Sequence, residues 1–438
     1  MTKNESSQVT RRTFVQTTAA ATAAMMFPSG VHISGADVIR VGVIGCGGRG
    51  TGAALDVMRS SDGVEVVALG DLMADRVAQS RAALTKQIAG NAALAAKFKV
   101  TDEKCFTGFD AYEKVLATDV DYVILASPPG FRPKHLAAAV AAGKNIFTEK
   151  PVAVDSAGIR SVLETYQAAT QKNLAIGAGT QRRHQDFYVP AVRRIHEGAI
   201  GEVLSGQVFW NQGGLWNQAR QASWTDAEWQ IRNWLYFTWL SGDHIVEQHV
   251  HNIDVANWVM NAHPIRATAV GGRQWRTDPK YGHIYDHFGV DFEYANGARV
   301  MSMCRQIDGT TGNVTEAFIG TKGRVQMDSN KPAQILGPNA WTVQVEGRPI
   351  SPYVQEHTDL IASIRAGKPY NELQQVAESC LTAIMGREAA YTGQALTWDD
   401  VLKADMDLTP PNLALGPLAV PAVPMPGVTK LNRKFAAT

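Results

Sequence analysis

The sequence lacks the features that would make a disulfide scaffold, a zinc protein or a membrane protein. Its 438 residues hold four cysteines, Cys46, Cys105, Cys304 and Cys380, scattered with no CxxC pair and no zinc-like spacing, so they read as free core thiols. Neither charge dominates: 42 Lys and Arg face 41 Asp and Glu, and a net charge of +1 gives no electrostatic case for nucleic acid or an anionic membrane. No stretch reaches the roughly 20 strongly apolar residues that would cross a bilayer, so no integral span is expected. HExxH and internal repeats are also absent. A small-molecule partner remains the better expectation. The length exceeds what one ordinary core accommodates, which favours two domains with a cleft between them.

At the N-terminus, Thr10-Arg11-Arg12-Thr13-Phe14-Val15 precedes an uncharged, mildly apolar run from Thr17 to Phe27. This resembles a twin-arginine export signal. Residues 1–37 are therefore expected to be signal and linker, and the protein periplasmic or otherwise exported by that route.

From Val38 the pattern Val-Ile-Arg-Val-Gly-Val-Ile-Gly reads as a parallel strand buried on both faces. Val64 to Leu69, Tyr122 to Ala126 and Asn145 to Thr148 read likewise, with helical stretches between them, as in a doubly wound sheet. Asp155 can cap a helix through Tyr166, and Ala175 to Gly179 makes one more short strand. Beyond that point Val203 to Asn211, Ile265 to Arg273, His287 to Tyr294, Ala298 to Arg305 and Glu316 to Ile319 alternate apolar with polar, as half-buried antiparallel strands do. The expected fold class is thus α/β: a Rossmann domain over 38–155, then an α+β substrate and oligomerisation domain over 156–405 with a large, mostly antiparallel open sheet. Residues 406–438, rich in proline and alanine, should form an extended arm over the surface or a partner subunit.

Gly45-Cys46-Gly47-Gly48-Arg49-Gly50 satisfies G-x-G-x-x-G after a buried strand and at the start of a helix, where dinucleotide binding needs it. The next strand ends at Asp71, near the offset expected for the carboxylate that holds the ribose hydroxyls. That carboxylate would repel a 2′-phosphate, so NAD is favoured over NADP, although Arg76 lies close by.

Glu149-Lys150-Pro151 follows the last of these strands, at the carboxyl edge of the sheet where ligands bind. A second pattern reads Glu247-Gln248-His249-Val250-His251-Asn252-Ile253-Asp254. With these two segments the chain resembles the Gfo/Idh/MocA family of oxidoreductases over roughly Val38 to Gly367, departing once, with Glu247 where the family has aspartate. The resemblance implies that Lys150 contacts the reacting hydroxyl and the nicotinamide, that Pro151 is often cis, and that Ser127, Pro128 and His135 belong to the cofactor site. It also implies that the Arg182 and Arg183 region lines the substrate pocket, and that the outer sheet face makes a homodimer or homotetramer.

On one helix, His244, Glu247, His251 and Asp254 would share a face, and a carboxylate beside an imidazole raises the histidine pKa towards working pH. His251 is the candidate general base, Lys150 its assistant and Glu247 its partner or an alternative acid; Asp254 and Trp210 are further candidates for substrate contact. The same face offers His244, Glu247 and His251 to a metal, but none is expected, because a nicotinamide site already accounts for these residues.

Trp210, Trp216, Trp224, Trp229, Trp234 and Trp239 crowd one stretch among Asn211, Gln212, Asn217 and Gln218, a composition suited to a sugar ring, with core packing as the plain alternative. A sugar or glycoside is the expected substrate. Outside the cytoplasm the NAD would have to be regenerated in place. Net oxidation of a saccharide is the favoured reading, a redox-neutral glycoside hydrolysis the next, and a non-catalytic NAD and sugar binder the third.

Overall fold

Six strands build a parallel sheet in the computed structural model, which describes residues 38–345, 347 and 349–435. They are β1 (Ile39–Ile44), β2 (Val64–Asp71), β3 (Cys105–Thr107), β4 (Tyr122–Leu125), β5 (Asn145–Thr148) and β6 (Ile176–Ala178), in the order β3-β2-β1-β4-β5-β6. This is the doubly wound order, with the switch point between β1 and β4. All four residues of β4 are buried, as a strand covered on both faces requires. The edge strand β3 is only half-buried, so it has no apolar run to announce it. Cys105 within it is partly exposed, which corrects its expected place in the core; Cys46, Cys304 and Cys380 are buried, and all four thiols are free.

The parallel sheet runs past the boundary expected at residue 155, because β6 pairs with β5 on the far side of the helix Ser156–Gln171. Asp155 caps that helix, accepting from Gly158 N at 2.7 Å, and its other oxygen accepts from Leu408 N at 2.7 Å. The helix Pro352–Arg365 also returns to this domain: Leu360, Ile361 and Ile364 share one apolar cluster with Ile39, Val41 and Val43.

The second sheet has nine strands, β7 (Val203–Gln212), β8 (Arg266–Gly272), β9 (His287–Glu293), β10 (Arg299–Gln306), β11 (Asn313–Gly320), β12 (Gly323–Asp328), β13 (Lys331–Leu336), β14 (Trp341–Thr342) and β15 (Leu396–Thr397). Their order is β14-β13-β12-β11-β7-β10-β9-β8-β15, and only β7 and β10 pair in parallel among these. The alternation of β10, exposed then buried throughout its first six residues, sets one face on the core and leaves the other open. The inner face packs on Leu373–Thr392, a helix buried almost all round, which in turn packs on Val250–Met260.

Beyond Leu408 the chain is extended and lies along its own body. Gln230 Nε2 donates to Leu418 O at 2.8 Å, Tyr285 OH to Pro424 O at 2.9 Å, and Arg433 pairs with the buried Glu388. The Arg11-Arg12 pattern and the whole 1–37 segment lie outside the described residues. Among the described residues no helix is long and apolar enough to cross a membrane.

Candidate active site

The glycine loop is shaped by three different demands. Gly45 has φ +100°, and a Cβ there would stand 2.3 Å from Ser127 N; one at Gly50 would stand 1.8 Å from Gly45 O, so helix and strand touch backbone to backbone. Gly47 and Gly48 instead have no atom within 4 Å of an added Cβ. Their open side faces the start of the helix Gly48–Ser60, whose free amides suit a pyrophosphate. Asp71 locks the loop, accepting from Cys46 N at 2.7 Å through one oxygen and from Met73 N at 2.9 Å through the other. Each oxygen keeps a lone pair for a ribose hydroxyl.

Asp71 lines an open cleft together with Leu72, Phe109, Tyr112, Ser127, Pro128, Phe131 and His135 among others. His135 stacks on Tyr112 at 4.4 Å and approaches Ser127 Oγ at 3.3 Å. Burial pushes its pKa down to about 3, so the wall is uncharged and aromatic, as a flat base prefers. These residues fit a dinucleotide. The Arg49 side chain does not face the loop's open side but bonds Glu149, Asp56 (3.1 Å) and Glu356 (3.5 Å), leaving its backbone as its offering to a phosphate.

At the carboxyl edge of the sheet the Lys150-Pro151 bond is cis. Lys150 Nζ donates to the backbone carbonyl of Glu247 at 2.6 Å and stands 3.7 Å from its Oε1. Burial raises the Glu247 carboxyl above the usual range although Lys150 opposes it, and Oε2 has no partner. His251 lies against Trp210, ring centroids 5.7 Å apart and 25° from parallel, with Nδ1 unpartnered.

Two expectations are corrected here. The segment is not one helix: His244–Glu247 and Val250–Met260 are separate, with Gln248 and His249 at the break. His249 turns to the sheet, its Nε2 2.8 Å from Ser302 Oγ. Nor is the His251 pKa raised by a carboxylate partner. Burial, followed by the charges of Lys150, Arg182 and Arg49, holds it well below the ordinary value, and Glu247 pairs with Lys150 instead. His251 is therefore a neutral imidazole.

Three expected substrate contacts belong to the scaffold. Arg183 pairs with both oxygens of Asp254, at 2.9 and 3.0 Å, and Ser379 Oγ donates to the same carboxylate at 2.8 Å. Arg182 is buried against Glu316 and stacks over Trp210 at 5.6 Å, steadying that ring. Of the tryptophans, Trp229 and Trp239 are core, Trp224 and Trp234 pack against it, Trp216 is exposed, and Trp210 is at the site. Sequence reasoning missed Asp243, a buried carboxylate at φ +71° that accepts from His244 N, Tyr285 N and Tyr391 OH and so fixes the turn before Glu247. Among the described residues no three His, Cys, Asp or Glu side chains are grouped to hold a metal ion.

Comparison with known proteins matches this geometry. Residues 39–178 match the oxidoreductase family with an NAD-binding Rossmann fold, Gfo/Idh/MocA, and residues 188–326 match the Gfo/Idh/MocA C-terminal domain. The chain belongs to the Gfo/Idh/MocA family. Its first domain is the family's NAD-binding domain. Among its relatives, the inositol 2-dehydrogenase 4 of Saccharopolyspora erythraea is 30% identical over 38% of this chain and 43% of its own length. A glycosyl hydrolase family 109 protein of Streptomyces niveus is 29% identical over 49% of this chain and 40% of its own. The chain thus spans less than half the length of either. A levoglucosan dehydrogenase solved with NADH and levoglucosan superposes with a TM-score of 0.65 at 18% identity, over 82% of this chain and 99% of that one, which shows the shared fold of this Gfo/Idh/MocA chain.

Proposed function

We propose that this Gfo/Idh/MocA protein oxidises a secondary hydroxyl of a saccharide, glycoside or polyol. The observation that carries this reading is Lys150, held by Glu247 through two atoms at the carboxyl edge of the dinucleotide sheet, beside a neutral His251. Bound NAD supplies the hydride acceptor. Lys150 orients the reacting hydroxyl by donating to its oxygen, and His251, unprotonated across the neutral range, takes the hydroxyl proton. Trp210 gives the ring a flat face. Inositol and levoglucosan dehydrogenases among the relatives and structural neighbours support the substrate class. The Arg11-Arg12 pattern supports export with the cofactor aboard, so the hydride would be returned in place to a second carbonyl compound.

A second reading is favoured by the Glu247 carboxyl, whose raised pKa suits protonation of a leaving group, and by the family 109 relative. In it the same site oxidises, eliminates, adds water and reduces, with net glycoside hydrolysis. Native mass spectrometry of the purified protein should show a bound dinucleotide. A panel of polyols, aldoses and aryl glycosides then separates the readings: NADH formation or aldose reduction supports oxidation, glycoside cleavage without net NADH supports hydrolysis, and neither activity leaves a binding protein. We also propose that the open face of the nine-stranded sheet joins copies of the chain.

A further inference from the structure

We propose that Gln248 selects and orients the substrate through a side-chain amide whose direction is dictated by Trp210; this rests on the dehydrogenase reading above. An indole N–H can only donate. Trp210 Nε1 donates to Gln212 Oε1 at 2.7 Å, which fixes that amide with its nitrogen on the far side. Gln212 Nε2 then donates to Gln248 Oε1 at 3.1 Å, and Gln306 Nε2 donates to the same oxygen at 2.6 Å. Both lone pairs of that oxygen are filled.

The Gln248 amino group is therefore turned away from the network. Gln248 is half-buried, and its amino group has no acceptor among the described residues and reaches solvent. Gln248 follows Glu247, whose carbonyl holds Lys150, and precedes His251, on which Trp210 rests. The strands β7 and β10 thus hold, at the edge of the candidate site, two N–H donors with no acceptor capacity. Such a group binds a ligand oxygen offering a lone pair, a second hydroxyl or ring oxygen of the substrate, and offers nothing to a donor-only group at that position, so its signature is in binding rather than chemistry.

Gln248→Glu inverts this polarity with little change of shape. One carboxylate oxygen still accepts from Gln212 and Gln306, while the other presents an acceptor where the amino group stood. The experiment uses the full chain with NAD and a panel of myo-inositol, levoglucosan and glucose as probes. For whichever probe the wild type oxidises, Q248E should raise KM about tenfold or more with kcat changed by less than about threefold, the loss expected of one hydrogen bond with the partner left unpaired. Thermal midpoint and NAD affinity should hold, since the network is kept. Gln248→Met, which keeps the length and removes every polar atom, should raise KM in the same direction. An unchanged KM in Gln248→Met, where no polar atom is left to meet a hydroxyl of either orientation, overturns the assignment of Gln248 while sparing the dehydrogenase reading. A wild type that binds NAD and oxidises no probe overturns both.

Discussion

The Lys150 ammonium donates to the Glu247 backbone carbonyl at 2.6 Å and stands 3.7 Å from the carboxylate of the same residue, although the two are 97 positions apart. One residue from the second domain thus aims the lysine of the first. The pairing is consistent with an uncharged His251: burial, then the positive charge of Lys150, holds its pKa down, and the Glu247 carboxylate is engaged with Lys150.

Lys150→Met removes the donor and keeps the stem. NADH formation should fall by about 10²- to 10⁴-fold, the usual contribution of a positioned proton-handling group, while NAD still binds, because the loop and Asp71 do not depend on Lys150. Steady-state rates paired with NAD fluorescence titration check this. A variant that retains most of the wild-type rate would remove Lys150 from the chemistry.

The glycine loop predicts a split between two alanine substitutions. At Gly50 the new Cβ would lie 1.8 Å from Gly45 O, so Gly50→Ala should lower the thermal midpoint even without cofactor. At Gly47 there is open space, so Gly47→Ala should leave the cofactor-free midpoint unchanged and remove most of the stabilisation that added NAD confers. Thermal scans with and without NAD separate the two effects.

The first domain was readable because its chemistry is local. β1, β2, β4 and β5 are apolar runs buried on both faces, and the loop Gly45 to Gly50 with Asp71 sits within one strand-helix-strand unit. What escaped depends on distant partners. β3 is too short and too exposed to show a pattern, and β12, β13 and β14 are short strands that take their place by pairing in turn on β11, β12 and β13. No glycine or proline marks the break after Glu247; the His249 N–H reaches back to the His244 carbonyl at 3.0 Å, a widened turn that the buried Asp243 sets up. The motif named Asp254 and the junction named Arg183, but only the fold joins them.

Stability should fall on acidification. His135 and His249 are pushed down to about 3 and His283 to about 4 by burial, and burial holds His251 and His357 well below the ordinary value. Each is neutral when folded and protonates when unfolded below a pKa of about 6.5, so the unfolded state gains protons as pH falls. His184 acts in the opposite sense, raised to about 10 by Asp359 and Glu372 against the cost of burial, and so does Glu356, raised by burial and by Glu149. Below pH 6.5 His184 is protonated in both states and no longer contributes, so the five imidazoles, at about 1 kcal/mol each over one pH unit, outweigh the raised Glu356 carboxyl and the protein should lose stability between pH 6.5 and 5.5. Denaturant titrations at the two pH values measure it; equal or greater stability at pH 5.5 contradicts the burial of these imidazoles.

The open face of the second sheet carries a row that water should not be left to cover. Val270 pairs with Gly289, Gly289 with Met303, Met303 with Phe209 and Phe209 with Thr315, across β8, β9, β10, β7 and β11. Val270 is 74% exposed and Met303 41%, while Met301 and Ile319 on neighbouring rows of this face are also exposed. Gly289 leaves a shallow trough between Val270 and Met303 into which side chains of a second copy can settle. Contiguous apolar area of this kind on a sheet marks an interface, and a two-fold axis through it would set identical rows against each other. Met303→Glu places a charge in the middle of the row, where burial without a partner is costly. Light scattering should give the wild type a mass of at least two chains and the variant a mass of one, with NAD binding kept, since the face is remote from the glycine loop in sequence and in sheet. A monomeric wild type would remove the interface from this face.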